Sequence, residues 1–451
     1  MDHNHQLLLD TTRRLIRRGA LPNLSKVLAK THPADIAQLF RYIDLKEQRL
    51  LFNLIAEPAT SADVLSELDH ATGAHILEQL DKETITEVLQ EMATDDAADI
   101  VGYMPDELAD EILNAMQDED SEEIEQLLQY EEDTAGGIMS PDVYALEQSL
   151  TVKEAIAALQ EAGDVEMVFY LYVINGQGQL VGVLSLRQLL TVPPSSRLAD
   201  IMTTDVFSVR TDMDQEEVAR VVEKYDILAV PVVDDNNRLM GIITVDDVID
   251  VIRQEATEDF YKMAGASEEE LLYGNKAFKI AKLRLPWLLV NLFGGVITGY
   301  LMWMFKMTLK EVIALISFIP VITGMGGNVG GQSATIMVRG FATGRIDFSI
   351  LRQVFFKEVR VGMIMGSVCG LTVGMVAWAW HGNPYLGIVV GLAMVVAMSV
   401  ASTMGVIAPA AFKKLGIDPA IASTPFVQTA NDITGILIYF GMATVFLTLL
   451  K

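Results

Sequence analysis

Five apolar stretches, near 285–305, 312–338, 359–380, 385–411 and 421–449, constrain this chain more than any other feature. Each is long enough to cross a hydrocarbon core, which needs about 20 helical residues. Basic side chains orient them. Lys276, Lys279, Lys282 and Arg284 precede the first stretch; Arg339, Arg345, Arg352, Lys357 and Arg360 separate the second from the third; Lys413 and Lys414 separate the fourth from the fifth. The opposite side carries only Lys306, Lys310 and Lys451. The positive-inside rule therefore puts the N-terminal region in the cytoplasm and, after five crossings, the C-terminus outside.

Composition separates the chain into two halves. It is 51% hydrophobic yet carries a formal net charge of -27, an unusual combination for one globular class. Residues 276–451 hold 14 basic and five acidic residues, a net of +9, which leaves -36 on residues 1–275. An acidic soluble region thus precedes a slightly basic membrane region. The single cysteine, Cys369, cannot form an intrachain disulfide and fits a reducing compartment and a packing role. The opening "MDHNHQLLLD" lacks the basic-then-apolar pattern of a signal peptide, and His3 and His5 read as part of a polar terminus.

Two of the predicted spans are polar inside. "GMGGNVGGQSAT", residues 324–335, places Asn328 and Gln332 four apart on one helical face among glycines suited to close helix packing. Pro320 and those glycines also loosen the backbone and expose carbonyls. "PFVQTANDITGILIYFG", residues 425–441, repeats this logic with Gln428, Thr429, Asn431 and Asp432 after Pro425. A carboxylate at bilayer depth costs roughly 2.5–3.5 kcal/mol and usually faces a bundle interior or an aqueous path with a cationic partner. No Lys or Arg lies between Asp418 and Lys451, so the partner of Asp432 comes from elsewhere in the fold or from outside the protein. Asp432 reads as the only acid deep in a span, with Asp347 and Asp418 in loops and Glu311 and Glu358 near span ends.

In the soluble half, residues 1–130 read as short helices with apolar residues recurring at three and four and Asp caps, a small helical superhelix. From about 138 a helix, strand, turn, strand and helix pattern occurs twice, over 138–200 and 201–253. Its order and turn chemistry resemble a tandem pair of CBS domains, modules that sense nucleotides or ions. The second copy carries Thr244-Val-Asp-Asp247, which fits the Thr/Ser-x-x-Asp ribose-binding pattern, whereas the first reads Ser185-Leu-Arg-Gln188 and departs from it. Tyr170 and Arg187 are candidates for base and phosphate contacts. Residues 254–275 continue as a helix whose acids cluster on one side and lead toward the membrane. Like charges about 6 Å apart repel by roughly 3 kcal/mol at an effective dielectric of 20, so such a face separates from a second acidic surface unless cations intervene.

In this order, the acidic N-domain, paired CBS modules, acidic linking helix, five spans, "GGNVGGQSAT" and "PFVQTANDITG" resemble an MgtE-type magnesium channel over essentially the whole chain. The resemblance implies a multidomain membrane protein: an all-α superhelical N-domain, α/β tandem CBS domains, a plug helix at 254–275 and a five-helix transmembrane domain at 276–451. It implies a homodimer in the cell membrane with a pore lined by Asp432, Asn328, Thr429 and Asn431, no enzymatic activity and no nucleic-acid partner. It also implies closure by cytosolic Mg2+ bridging acids, for which the candidates are Glu91, Asp95, Asp214, Glu216, Asp226, Asp247, Asp250, Glu255, Glu258, Asp259 and Asp418. ATP is the implied regulatory ligand of the CBS pair, at Tyr170, Arg187 and Asp247. A secondary divalent-cation carrier coupled to an ion gradient is the alternative. An intramembrane aspartyl protease needs two acids sharing a proton and fits a single deep carboxylate poorly.

Overall fold

The computed structural model describes residues 3–40, 42–161, 170–267, 270, 277–421 and 425–450. Parts of the predicted first CBS module, at 162–169, and of the predicted plug helix, at 268–269 and 271–275, lie outside the described residues. The chain forms two compact bodies, Met1–Ile252 and Arg253–Lys451.

The first body opens with short helices running from α1 (His3–Arg17) to α10 (Asp118–Leu127). Aspartates start several of them by accepting the otherwise unpaired amides of a first turn. Asp44 accepts from Lys46 N and Glu47 N at 3.0 and 2.9 Å, Asp69 from Thr72 N at 2.9 Å, and Asp81 from Thr84 N at 3.0 Å. The apolar faces of these helices, including Leu24, Ile36, Leu77 and Ile100, bury into one core that continues through Val218, Val230 and Ile243 of the second repeat.

The repeats fold alike. The first contains β1 (Ala145–Glu147), α11 (Val152–Glu161), β2 (Tyr170–Ile174), β3 (Leu180–Ser185), α12 (Leu186–Thr191) and α13 (Leu198–Ile201). The second contains β4 (Val209–Arg210), α14 (Gln215–Tyr225), β5 (Ala229–Val233), β6 (Leu239–Thr244) and α15 (Val245–Ala264). In each sheet the first strand runs parallel to the middle one and the third antiparallel, with an irregularity at Val173/Ile174 in one and Val232/Val233 in the other. The two hairpin turns bond to each other: Gln179 Nε2 donates to Asn236 O and Asn237 Nδ2 to Leu180 O, both at 2.8 Å. Asn237 sits at φ 61°, a left-handed conformation that Asn tolerates because its short amide bonds locally.

The second body holds the end of α15, then α16 (Ala277–Met304), α17 (Lys306–Glu311), a 3₁₀ turn (Ile313–Phe318), α18 (Ile319–Ala342), α19 (Leu351–His381), α20 (Pro384–Lys414), α21 (Pro425–Val445) and α22 (Leu447–Leu450). Among the described residues, four helices are long and apolar enough to cross a membrane: Ala277–Met304, Ile313–Ala342, Leu351–His381 and Pro384–Lys414. The fifth predicted span is α21. Its 21 residues reach about 31 Å at a rise of 1.5 Å each, but Gln428, Thr429, Asn431 and Asp432 keep it out of that apolar set. It packs instead among α16, α18 and α20, with Tyr439 OH donating to Leu315 O at 3.0 Å.

Glycine brings α19 and α20 together. A Cβ on Gly374 would stand 2.7 Å from the carbonyl oxygen of Gly387, so the two backbones touch where larger residues would hold them apart. The pair forms a tight hairpin, and α18 and α21 pack against its α20 arm.

Candidate functional site

Asp432 lies in the second turn of α21, partly buried. Among the described residues no Lys, Arg or His comes within ion-pair distance of it. Its neighbours face different ways. Thr429 turns toward α16, where Oγ1 donates to Asn291 Oδ1 at 3.2 Å and the methyl presses on Gly294. Asn431, 2% exposed, turns toward α18 and donates from Nδ2 to Gly326 O at 3.3 Å. Its Oδ1 is buried without a hydrogen-bond partner among the described residues. A buried acceptor without a partner is costly in a bundle.

Asn328 and Gln332 share one face, as their spacing predicts, but within this chain that face looks away from α21. They line a groove of about 530 Å³ between α18 and α19, together with Met325, Met365, Cys369 and Met398. Gln428 lies over Gly327, so the polar residues of the two spans meet through Gln428 and Asn431 on a glycine face, not through Asn328.

One acid was misplaced by sequence reasoning. Glu358 sits in the second turn of α19 between Lys357 and Arg360, which reads as a span end, yet it is 4% exposed. Ser333 Oγ of α18 donates to its Oε2 at 2.8 Å, and Ser402 Oγ of α20 lies 3.3 Å from the same oxygen and 2.9 Å from the Glu358 carbonyl. Two inward serines at i positions of neighbouring predicted spans were the available signal.

In the second body the acids of α15 meet a lysine. Lys262 Nζ is 2.6 Å from Glu258 and 2.8 Å from Asp418. Burial, reinforced by Asp418, pushes the Asp259 carboxyl up, while Lys262 and Arg339 oppose the shift. Glu255 is partly buried and Asp250 exposed.

In the first body Asp95, in the first turn of α8 (Thr94–Gly102), is brought toward Asp247 of α15. Burial pushes the Asp95 carboxyl well above the usual range, with repulsion from Asp96 and Asp247 adding to it. Its Oδ1 is buried and has no hydrogen-bond partner among the described residues. Burial also raises Asp247 to about 6 against the bonds from Thr244. Asp99 is pushed up to about 7 by burial, against the pull of His70 and with repulsion from Glu132, Asp96 and Asp247. His70 Nδ1, 3.6 Å from Asp99 Oδ2, is the basic group beside this cluster among the described residues.

Other candidates have local partners. Asp214 caps α14 by accepting from Glu216 N at 2.9 Å, Glu216 faces Arg220 at 3.5 Å, and Asp226 ends α14 at φ 51°. Glu91 is exposed just beyond α7 (Lys82–Leu89). Among the described residues no cluster of three or more His, Cys, Asp or Glu is arranged to hold a metal directly. Magnesium keeps several waters and needs only one or two carboxylates. Asp95, with its orphaned oxygen and the charges of Asp96 and Asp247 acting on it, is the carboxyl here that such an ion would relieve.

The CBS candidates are ordinary in geometry. Thr244 N and Oγ1 donate to Asp247 Oδ2 at 3.2 and 2.6 Å, and in the first repeat Ser185 N and Oγ donate to Gln188 Oε1 at 2.9 Å each. Both copies therefore keep the same helix cap, and only the second keeps a carboxylate. Arg187 is exposed, and Tyr170 packs beside Tyr172 and Leu180.

A helical superhelix, two CBS-like repeats and a glycine-packed bundle with buried acids define a multi-pass membrane protein with a large soluble half. Residues 319–442 match the MgtE family, described as a divalent cation transporter; residues 31–133 match the MgtE intracellular N domain; and 135–195 and 198–254 match the CBS domain. The chain is 43% identical over 323 residues to the magnesium transporter MgtE of Thermus thermophilus, covering 70% of this chain and 71% of that one. It is also 43% identical over 319 residues to the Bacillus subtilis magnesium transporter MgtE, covering 70% of each. A crystal structure of the cytosolic domain of the Mg2+ channel MgtE in complex with ATP is similar with a TM-score of 0.51 and 37% identity, covering 54% of this chain and 99% of that one. The chain belongs to the MgtE family.

Proposed function

We propose that this protein is a magnesium channel that admits Mg2+ to the cytosol and is closed by it. The observation that carries the reading is Asp432: a carboxylate in a packed helix with no cationic partner among the described residues, in a chain 43% identical to magnesium transporters. Magnesium gives up water reluctantly, so a pore selects it with its hydration shell largely kept. Two Asp432 carboxylates facing one another across a homodimer axis attract the double charge and accept hydrogen bonds from bound water. Thr429 supplies a further oxygen beside them, while Asn431, seated on Gly326, and Asn328, in the α18–α19 groove, support the path from behind. The soluble half lies in the cytosol and the C-terminus outside.

Closure follows from the same chemistry. Cytosolic Mg2+ bridges Asp95 with Asp247 and joins Glu258, Asp259 and Asp418, with Glu91, Asp214, Glu216, Asp226, Asp250 and Glu255 adding to the negative field. When magnesium falls, uncompensated carboxylates repel and the closed state loses population. ATP at the CBS pair, held at Asp247 with Tyr170 and Arg187, biases the same equilibrium; the ATP complex of the similar cytosolic domain supports this.

The family relatives are transporters, and Glu358 bonds to serines rather than to Asp432, so the two acids do not form the proton-sharing dyad of a protease. Planar-bilayer recording of wild type beside Asp432→Ala tests the reading. Unitary Mg2+ currents that lose their divalent preference by about tenfold or more in the variant support it, a loss in keeping with removal of a charge-assisted contact. Unchanged selectivity refutes the filter, and transport strictly coupled to a proton or sodium gradient favours a carrier.

A further inference from the structure

Glu358 is nearly solvent-free, and the pathway through Asp432 makes no use of it. Its Oε2 accepts from Ser333 at 2.8 Å and lies 3.3 Å from Ser402 Oγ; the two hydroxyls are 3.1 Å apart and are 3% and 0% exposed. Lys357 Nζ stands 4.0 Å from Oε1 but is 64% exposed, so it provides little charge compensation. A carboxyl kept at such a place is expensive unless its bonds do something that apolar packing cannot.

What it does is tie three helices at one point. A groove lined by Asn328 and Cys369 lies between α18 and α19, and among the described residues the Ser333–Glu358 bond is the one side-chain hydrogen bond joining these two helices. One turn before Ser333 is Gly330, whose carbonyl presses on Gly405 and whose bare Cα faces Asn431. Rotating α18 about its axis would therefore shift Ser333, Gly330 and the seat of Asn431 together. Asn431 immediately precedes Asp432.

We propose that Glu358 is a positioning residue for ion selectivity: through Ser333 its carboxylate holds α18 at the rotation that seats Asn431 and thereby aims Asp432. The selectivity part rests on the pore reading given above; the helix-holding part does not.

The native cysteine reports on the hold directly, because Cys369 lines the groove that would open. In the full chain in vesicles, labelling of Cys369 by a membrane-permeant maleimide and the Mg2+-over-Na+ permeability ratio are measured for wild type, Glu358→Ala, Glu358→Gln, Ser333→Ala and Asp432→Ala. Glu358→Ala and Ser333→Ala should label about tenfold faster and lose about tenfold in permeability ratio, the scale of one buried charge-assisted hydrogen bond. Glu358→Gln keeps an acceptor for Ser333 and should stay within about twofold of wild type in both readouts. Asp432→Ala should change the ratio alone. Wild-type labelling in Ser333→Ala, the milder change should Glu358→Ala not fold, would overturn the proposal, as would a Gln variant as damaged as the Ala one. If Asp432→Ala leaves selectivity intact, the pore reading fails while the labelling rates still decide the role of Glu358.

Discussion

Lys262 places its ammonium 2.8 Å from the Asp418 carboxylate, tying α15 to the loop that precedes α21. The same ammonium is 2.6 Å from Glu258, so one tethered charge already offsets part of this acidic group and helps hold the closed contact without magnesium. Lys262→Gln should therefore make closure more dependent on free magnesium. A partly exposed ion pair is worth up to about 1 kcal/mol, so the concentration for half-closure should rise about twofold to fivefold. Magnesium titration of current measures it, and an unmoved midpoint would mean that the lysine plays no part in closure.

Stability should fall as pH rises through the acidic cluster of the first body. Asp247 and Asp99 keep their protons in the folded chain to about pH 6 and 7. Unfolded aspartates lose theirs near 3.9. Between those values the folded state binds more protons, so the stabilisation is complete below about pH 4 and disappears as pH climbs through 6 to 7. We expect a loss on the order of 2 kcal/mol, seen as a melting temperature a few degrees lower at pH 8 than at pH 5. Added Mg2+ should restore more at pH 8 than at pH 5, because metal and protons compete for the same carboxylates. Equal effects at both pH values would argue against Asp95 and Asp247 as its site.

Gly330→Ala tests the contact of α18 with α21. The added methyl would collide with Asn431 Nδ2, which is held by its bond to Gly326 O, and crowd Val427 and the backbone carbonyl of Ala401. Overpacking of this kind costs roughly 1–3 kcal/mol. Thermal inactivation in detergent should come several degrees earlier, whereas Gly331→Ala, with open space around it, should behave as wild type.

Nucleotide binding should be one-sided. Asp247→Ala removes the carboxylate that stands where the first repeat has Gln188 and should weaken ATP about tenfold or more by calorimetry, as loss of a hydrogen bond to a charged group does. Gln188→Ala should remain within about twofold. Equal losses would assign the two repeats equal roles.

How much of this was legible in the sequence depended on the range of the interaction. Apolar runs long enough to span a bilayer, the charge step at residue 276, the doubled strand-and-turn pattern and the aspartate caps are all local or statistical; long helices and two like sheets lie along those stretches, with α21 more polar than the other four. Asp432 was visible for the same reason: an acid in an apolar run is conspicuous without knowing its neighbours.

Glu358 was not. Flanked by Lys357 and Arg360 it reads as interfacial, and only the approach of Ser333 from 25 residues before it and Ser402 from 44 residues after it makes it an inner residue. The same holds for Asn328 and Gln332, whose shared face follows from helical spacing while its direction, toward α19 and away from Asn431, follows from which side of α18 is glycine. Linear order determines which helices form and which residues share a face. Which faces meet is decided by close packing among helices distant in the chain, because a buried polar group is tolerated only where another element supplies its partner.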